Sequence, residues 1–351
     1  MVWQGIDGHD EVAERFRLAL GAGRLASSFL FVGPPGVGKR LFAEKLAQAL
    51  LCANAAEEQL TPCGKCTSCL QVASRTHPDL YVIEKPADRA SIPLSLFVGD
   101  DAHRMREGLC HDIALKPFMG GRKVAIIDDA DTLGEESANC LLKTLEEPPP
   151  RSVLILIGTS ADKQLPTIRS RCQTIRFQPL ASQEVAEILE SRGLIADPQQ
   201  ARRLSEFAEG SVQRALELAD DELWAFRLQL LRALASPQVE SVALARELVA
   251  FVDAAGKEAG VRRARARQVI GFAIDFYRQL LRALCGLEPV GDAQLVAAVE
   301  QGRSTWPAGT ELAATCIDRS LDAWAHVDRN AHQATLLECW LDDLARGIEA
   351  A

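Results

Sequence analysis

Gly33-Pro34-Pro35-Gly36-Val37-Gly38-Lys39, GPPGVGK in one-letter form, is the stretch whose reading decides the fold. The apolar run Ser28–Val32 leads straight into it and reads as a buried strand. After it, apolar residues recur at Leu41, Phe42, Leu46, Ala49 and Leu50, a helical stripe. Strand, glycine-rich loop and helix in that order make an α/β phosphate-binding unit. The glycines let successive backbone N–H groups converge on phosphate oxygens, the helix directs its N-terminus at them, and Lys39 reaches the outer phosphates. ATP or ADP with Mg²⁺ is the ligand this pattern implies.

The next residue, Arg40, breaks the pattern. A complete loop has a Ser or Thr hydroxyl there to coordinate Mg²⁺, whereas a guanidinium only donates and coordinates no cation. Nucleotide binding is compatible with this change. Hydrolysis is not expected unless a water takes the missing ligand position.

Working outward, Leu80–Ile83, Lys123–Ile127 and residues 153–157 are continuous apolar runs of the kind covered on both faces in a parallel sheet. Asp128 follows the second of them, where an acid at a strand end meets Mg²⁺, and Asp129 is the candidate water-orienting base. Its side chain is one methylene shorter than Glu, and a misplacement of about 1 Å costs on the order of 100-fold. The bland alternative for Asp128-Asp129-Ala130-Asp131 is a solvated turn. Residues 135–145 read as a helix stopped by Pro148, Pro149 and Pro150.

Beyond Phe177 the pattern becomes helical, at 184–191 with Ser182 as the expected cap, at 199–208 and at 212–218. From Trp224 onward it is helical almost throughout, interrupted at Pro237, at 256–260 and at 286–291. The expected organisation is an α/β P-loop domain over 1–178, a small helical domain over 179–222 and a helical domain over 223–351.

Four cysteines, Cys52, Cys63, Cys66 and Cys69, interrupt the first domain. The spacing of the last three holds their sulfurs within reach of one tetrahedral ion, Gly64 permits the turn, and Cys52 closes the set. Zn²⁺ accepts four thiolates and leaves no open position, so the metal would be structural, pinning a module at about 52–75. An iron–sulfur cluster and four unligated thiols are the rivals. Cys110, Cys140, Cys172, Cys285, Cys316 and Cys339 are widely spread and read mostly as small buried hydrophobes.

The formal charge is −9, from 39 Lys and Arg against 48 Asp and Glu. That argues against a surface that grips a nucleic-acid backbone along much of its length. No run of about 20 uncharged apolar residues occurs, so no membrane span is expected. The acidic start has no signal-peptide core, which makes the cytoplasm the expected compartment.

Together, Ser28 to Lys39, the four-cysteine pattern, His77-Pro78-Asp79, Lys123 to Asp131, the run LLKTLEEPP at 141–149 and IRSRC at 168–172 resemble the delta-prime subunits of the bacterial DNA polymerase III clamp loader, within the AAA+ superfamily. The resemblance covers about residues 1–220. It implies a hetero-pentamer with gamma/tau-type motor subunits and a delta subunit that places a sliding clamp on primed DNA near the nucleoid, the C-terminal helices forming the collar. In such proteins the arginine of Ser-Arg-Cys reaches the neighbouring subunit's ATP, which assigns Arg171 that role in trans, with Arg169 a lesser helper. Thr159 resembles the polar group that reads the γ-phosphate, Ser160 being an alternate, and Gln213 stands where the motor subunits have an arginine. Arg40, Asp129 and Gln213 all depart from a hydrolysing site. The implied function is therefore a support subunit with little ATPase activity of its own.

Two other readings stay open: an active motor, whether clamp-loader or helicase-like, and a scaffold that binds no nucleotide. The basic run Arg262-Arg263-Ala264-Arg265-Ala266-Arg267 is expected to be a solvated helix face. Trp224, Trp306, Trp324 and Trp340 are expected as core or collar-interface anchors.

Overall fold

The structure is a computed structural model, and it describes all residues except 1–2, 87–88, 90, 101, 105, 306–308, 328–331 and 350–351. Trp306 therefore lies outside the described residues. The chain divides into two compact units, one formed by Met1–Pro86 with Ser91–Ala215, the other by Ala87–Ala90 with Leu216–Ala351.

The first unit is built on a five-stranded parallel sheet: β1 (Ser28–Val32), β2 (Leu80–Ile83), β3 (Lys123–Ile127), β4 (Ser152–Gly158) and β5 (Gln173–Arg176), in the order β2-β3-β4-β1-β5. β5 is not among the strands expected from the sequence. It is an edge strand with only Ile175 buried, so it has no apolar run to betray it.

The helices of this unit are α1 (Asp10–Gly21), α2 (Lys39–Leu50), α3 (Thr67–Ala73), α4 (Ser95–Val98), α5 (Leu109–Ala114), α6 (Glu135–Glu146), α7 (Pro166–Arg169), α8 (Ser182–Ser191), α9 (Pro198–Phe207) and α10 (Val212–Ala219), within which the division falls. Alternate strand residues face opposite ways, as the two-residue period demands. Phe29, Phe31, Val124, Ile126, Val153, Ile155 and Ile157 pack with Phe16, Phe42 and Leu46 of α1 and α2. Leu30, Val32, Ala125, Ile127, Leu154 and Leu156 pack instead with Phe97, Ile113, Leu141 and Leu145. Both faces are covered, which is why the strands read as unbroken apolar runs.

The start of α8 differs from expectation. Ser182 is its first helical residue, and the cap is made by the Glu184 carboxylate, which accepts the Ala181 N–H at 2.8 Å.

Asp79 is wholly buried just before β2, and its carboxylate accepts the Phe118 and Met119 N–H groups at 2.7 and 2.8 Å. This holds the turn into β3, at whose other end the candidate acids lie. Asp79→Ala leaves two amides without acceptors and is expected to destabilise the protein by about 3 kcal/mol, since a hydrogen bond to a charged group contributes roughly 1.5–3. A denaturant midpoint unchanged from wild type would refute this.

The second unit is helical: α11 (Asp221–Leu234), α12 (Ser241–Ala254), α13 (Ala259–Leu284), α14 (Ala293–Thr305), α15 (Thr310–His326) and α16 (Gln333–Glu349). Arg227 and Asp292 form a buried ion pair at 2.5 Å, the guanidinium lying 4.6 Å from the Trp224 ring centroid. Trp340 is buried and donates its indole N–H to Ser320 at 3.1 Å, whereas Trp324 is exposed. The basic run sits on α13, with Arg262 paired to Asp253 at 3.2 Å and Arg265 to Asp220 at 3.1 Å. Its charge is thus partly answered within the unit. Of the six scattered cysteines, Cys172 and Cys316 are buried but Cys285 and Cys339 are exposed, so the expectation of small buried hydrophobes fails for that pair. Among the described residues no helix is long and apolar enough to cross a membrane.

Candidate functional site

The sheet order places the ends of β3, β4 and β1 side by side, and the candidate residues extend from those ends. Gly33 donates its N–H to the Thr159 carbonyl at 3.2 Å, joining the loop after β1 to the end of β4. Only glycine fits there, because φ is +152° and a Cβ would stand 2.3 Å from the Phe177 carbonyl oxygen. Gly36, at φ +74°, is as restricted: a Cβ would lie 2.2 Å from Ser211 Oγ and 2.6 Å from Gln213 Cβ. The Val212 N–H donates to the Gly36 carbonyl at 3.1 Å, so the loop is braced at Gly36 by the start of α10.

Gly38 is the N-cap of α2, and Lys39 and Arg40 open the helix. Lys39 is buried and donates from Nζ to the Gly33 and Pro34 carbonyls at 2.7 and 2.6 Å. Burial holds its pKa below the ordinary lysine value, with the charges of Asp128, Asp131 and Asp129 acting the other way. A phosphate entering the loop has to replace those two carbonyls.

Sequence reasoning missed His9. It is buried, its Nε2 donates to the Val37 carbonyl at 2.7 Å, and its ring meets Phe177 edge-on at 4.8 Å. No spacing rule connects a histidine before α1 with a loop 28 residues later.

Arg40 faces acids. It donates from Nη1 to Asp128 Oδ2 at 3.1 Å, from Nε to Glu44 Oε1 at 3.3 Å, and from Nη2 to the Glu84 carboxylate. Arg75 joins the same group, bonding Glu84 at 3.0 Å and Glu44 at 2.6 Å. Burial, then repulsion from Asp129, pushes the Asp128 carboxyl above its ordinary value, while the Asp129 N–H and Arg40 oppose the shift. Mg²⁺ requires an octahedral set of oxygens at about 2.0–2.1 Å. With a guanidinium hydrogen-bonded to Asp128, the residues present do not fit that ion.

The other candidates have their own positions. Asp129 is exposed with φ +53°. Asp131, which sequence reasoning passed over, is the more engaged acid: it accepts the Thr159 N–H at 2.8 Å, the Thr159 hydroxyl at 2.5 Å and the Gln164 amide at 2.8 Å. Thr159 is thus committed to Asp131. Arg171, just after α7, pairs with Glu146 Oε1 at 2.5 Å and donates to the Thr167 carbonyl at 2.9 Å, its side chain about a third exposed at 32%. Arg169 pairs with Asp162 at 2.7 Å.

The four cysteine sulfurs converge, all lying within 4.8 Å of one another, with Cys52–Cys66 and Cys63–Cys69 at 4.0 Å. A tetrahedral Zn²⁺ with Zn–S of about 2.3 Å needs sulfurs roughly 3.8 Å apart, so the donor set suits a structural zinc site. Cys52 follows α2, while Cys66 caps α3 by accepting the Cys69 N–H at 3.4 Å. The N–H groups of Lys65 and Cys66 lower the Cys63 thiol to about 6, and burial raises Cys69 to about 12. A bound dication would hold both as thiolates. His77 lies outside this set, its Nδ1 accepting the Asp79 N–H at 3.1 Å. The module is also tied to its unit: the Trp3 indole donates to the Leu60 carbonyl at 2.9 Å, Gln48 to the Cys69 carbonyl at 3.0 Å, and Arg122 to Glu57 at 2.8 Å.

Residues 8–181 match the family model described as DNA polymerase III, delta subunit. The chain is 39% identical over 152 residues to DNA polymerase III subunit delta-prime of Pseudomonas aeruginosa, covering 43% of each protein. It is 32% identical over 202 residues to the delta-prime subunit of Bacillus subtilis, covering 58% of this chain and 56% of that one. It is 32% identical over 221 residues to DNA polymerase III subunit tau of Escherichia coli, covering 62% of this chain and 32% of that protein. The chain thus spans about half or less of the length of these relatives.

Proposed function

We propose, from the match of residues 8–181 to the family model described as DNA polymerase III, delta subunit, that this chain is the non-motor, delta-prime-type subunit of a bacterial clamp loader. In this reading it joins gamma/tau-type motor subunits and a delta subunit in a hetero-pentamer that loads the sliding clamp onto primed DNA. Residues 223–351 contribute the collar, zinc stabilises the module at about 52–75, and Arg171 acts in trans on a neighbour's ATP.

The observation that carries this reading is the contrast between the two arginines. Arg40 is bonded to Asp128 in the chain's own site, which disfavours hydrolysis there. Arg171 makes its ion pair with Glu146, in a partly exposed position from which it can turn to a partner's phosphates. An exposed pair of this kind contributes only about 0.2–1 kcal/mol, so exchanging Glu146 for a triphosphate costs little.

Reconstitution tests the assignment. The chain should co-purify with motor and delta subunits as one assembly, clamp loading should disappear when it is omitted, and the chain alone should turn over no ATP. ATP turnover by the isolated chain, abolished by Lys39→Ala, would instead identify a motor.

A further inference from the structure

We propose that Arg40 is a built-in cation standing where hydrolysing loops hold a divalent metal, and that the loop at 33–39 accordingly binds a nucleoside diphosphate without Mg²⁺. The inference rests on reading that loop as a phosphate site, and it is independent of Arg171.

Arg40 follows the loop lysine, at the position that would supply the hydroxyl ligand of a metal, and Asp128 stands at the end of β3, the position that would supply the acid. The 3.1 Å contact from Arg40 Nη1 to Asp128 Oδ2 joins the two positions a metal would bridge. The surrounding charges fit this role. Arg40 and Arg75 face Glu44, Glu84 and Asp128, so each acid of this group already has a guanidinium partner. A divalent cation would have to break the Arg40–Asp128 contact and then sit against two guanidinium groups. A guanidinium, in contrast, offers N–H donors in a planar fork that suits phosphate oxygens.

The rest of the site favours a diphosphate. The loop keeps the left-handed glycines Gly36 and Gly38 that turn backbone amides toward an anion, and Lys39 is in place above it. The Thr159 hydroxyl, the group expected to read a third phosphate, is bonded to Asp131.

Calorimetric titration of the full chain with ADP, once in excess EDTA and once in excess Mg²⁺, tests the proposal. The two dissociation constants should agree within about threefold, whereas Arg40→Ser should lose about tenfold or more in EDTA and regain it with Mg²⁺, a tenfold change being about 1.4 kcal/mol. Wild-type binding at least ~10-fold tighter with Mg²⁺ would overturn the proposal. So would the absence of ADP binding in EDTA. If Arg40→Ser does not fold, the paired wild-type titrations still decide. Because they use this chain alone, they can fail while reconstituted clamp loading persists, and the converse also holds.

Discussion

Arg171→Ala, placed in an assembly with motor and delta subunits, is expected to slow ATP hydrolysis at the adjoining site by roughly 10³-fold or more, the scale of an arginine supplied in trans. In the proposed role the guanidinium would neutralise charge on the transferred phosphoryl group, and alanine would leave that charge unanswered. In the proposed assembly the variant alters only the site that Arg171 faces, so total turnover falls by the share of that one site. A single-turnover measurement under clamp and primed-DNA stimulation shows the full loss. Assembly should persist, because the Arg171 guanidinium, at a partly exposed position, is bonded among the described residues to Glu146, Thr167 and Ser170 of its own chain. Arg171→Lys should restore little, since an ammonium lacks the planar fork. Undiminished hydrolysis in an intact assembly would remove Arg171 from the mechanism.

Metal removal is the second large effect. Structural zinc contributes apparent binding energies of about 10–16 kcal/mol in small zinc modules. Here the module retains anchors to its unit at Trp3, Gln48 and Arg122, which reduces the loss. A destabilisation of about 5 kcal/mol, or roughly 10–20 °C in the midpoint of the first unit, is expected on chelation at neutral pH. Cys69→Ser should reproduce it, and Cys285→Ser, at an exposed cysteine outside the cluster, should not. Acidification should also release the ion, because protons compete for the thiolates. Purified protein that contains no zinc, and whose midpoint a chelator leaves unmoved, would contradict the metal assignment.

Most of the sheet was legible in the sequence because a strand covered on both faces is apolar along nearly all its length, as residues 29–32 and 124–127 are. β5 was not, since an edge strand with one buried residue carries no such signal. The cap of α8 was misplaced for a related reason. Ser182 has the right chemistry, but the carboxylate of Glu184 makes the bond. In the candidate site, the loop and the four cysteines were readable because their chemistry lies in short spacings. His9 and Asp131 were not, because their partners are distant in the chain or outside any motif.

By itself the sequence determined the phosphate loop, the departure at Arg40 and the donor set for a metal. These follow from local backbone geometry, from residue chemistry and from spacings that short segments enforce. Only the tertiary structure decided what Arg40 does with its charge. Its partner Asp128 is 88 residues away, brought within 3.1 Å by the placement of β3 two strands from β1 in the sheet. Strand order is a property of the whole packed unit, because each strand's place depends on which helices cover both of its faces.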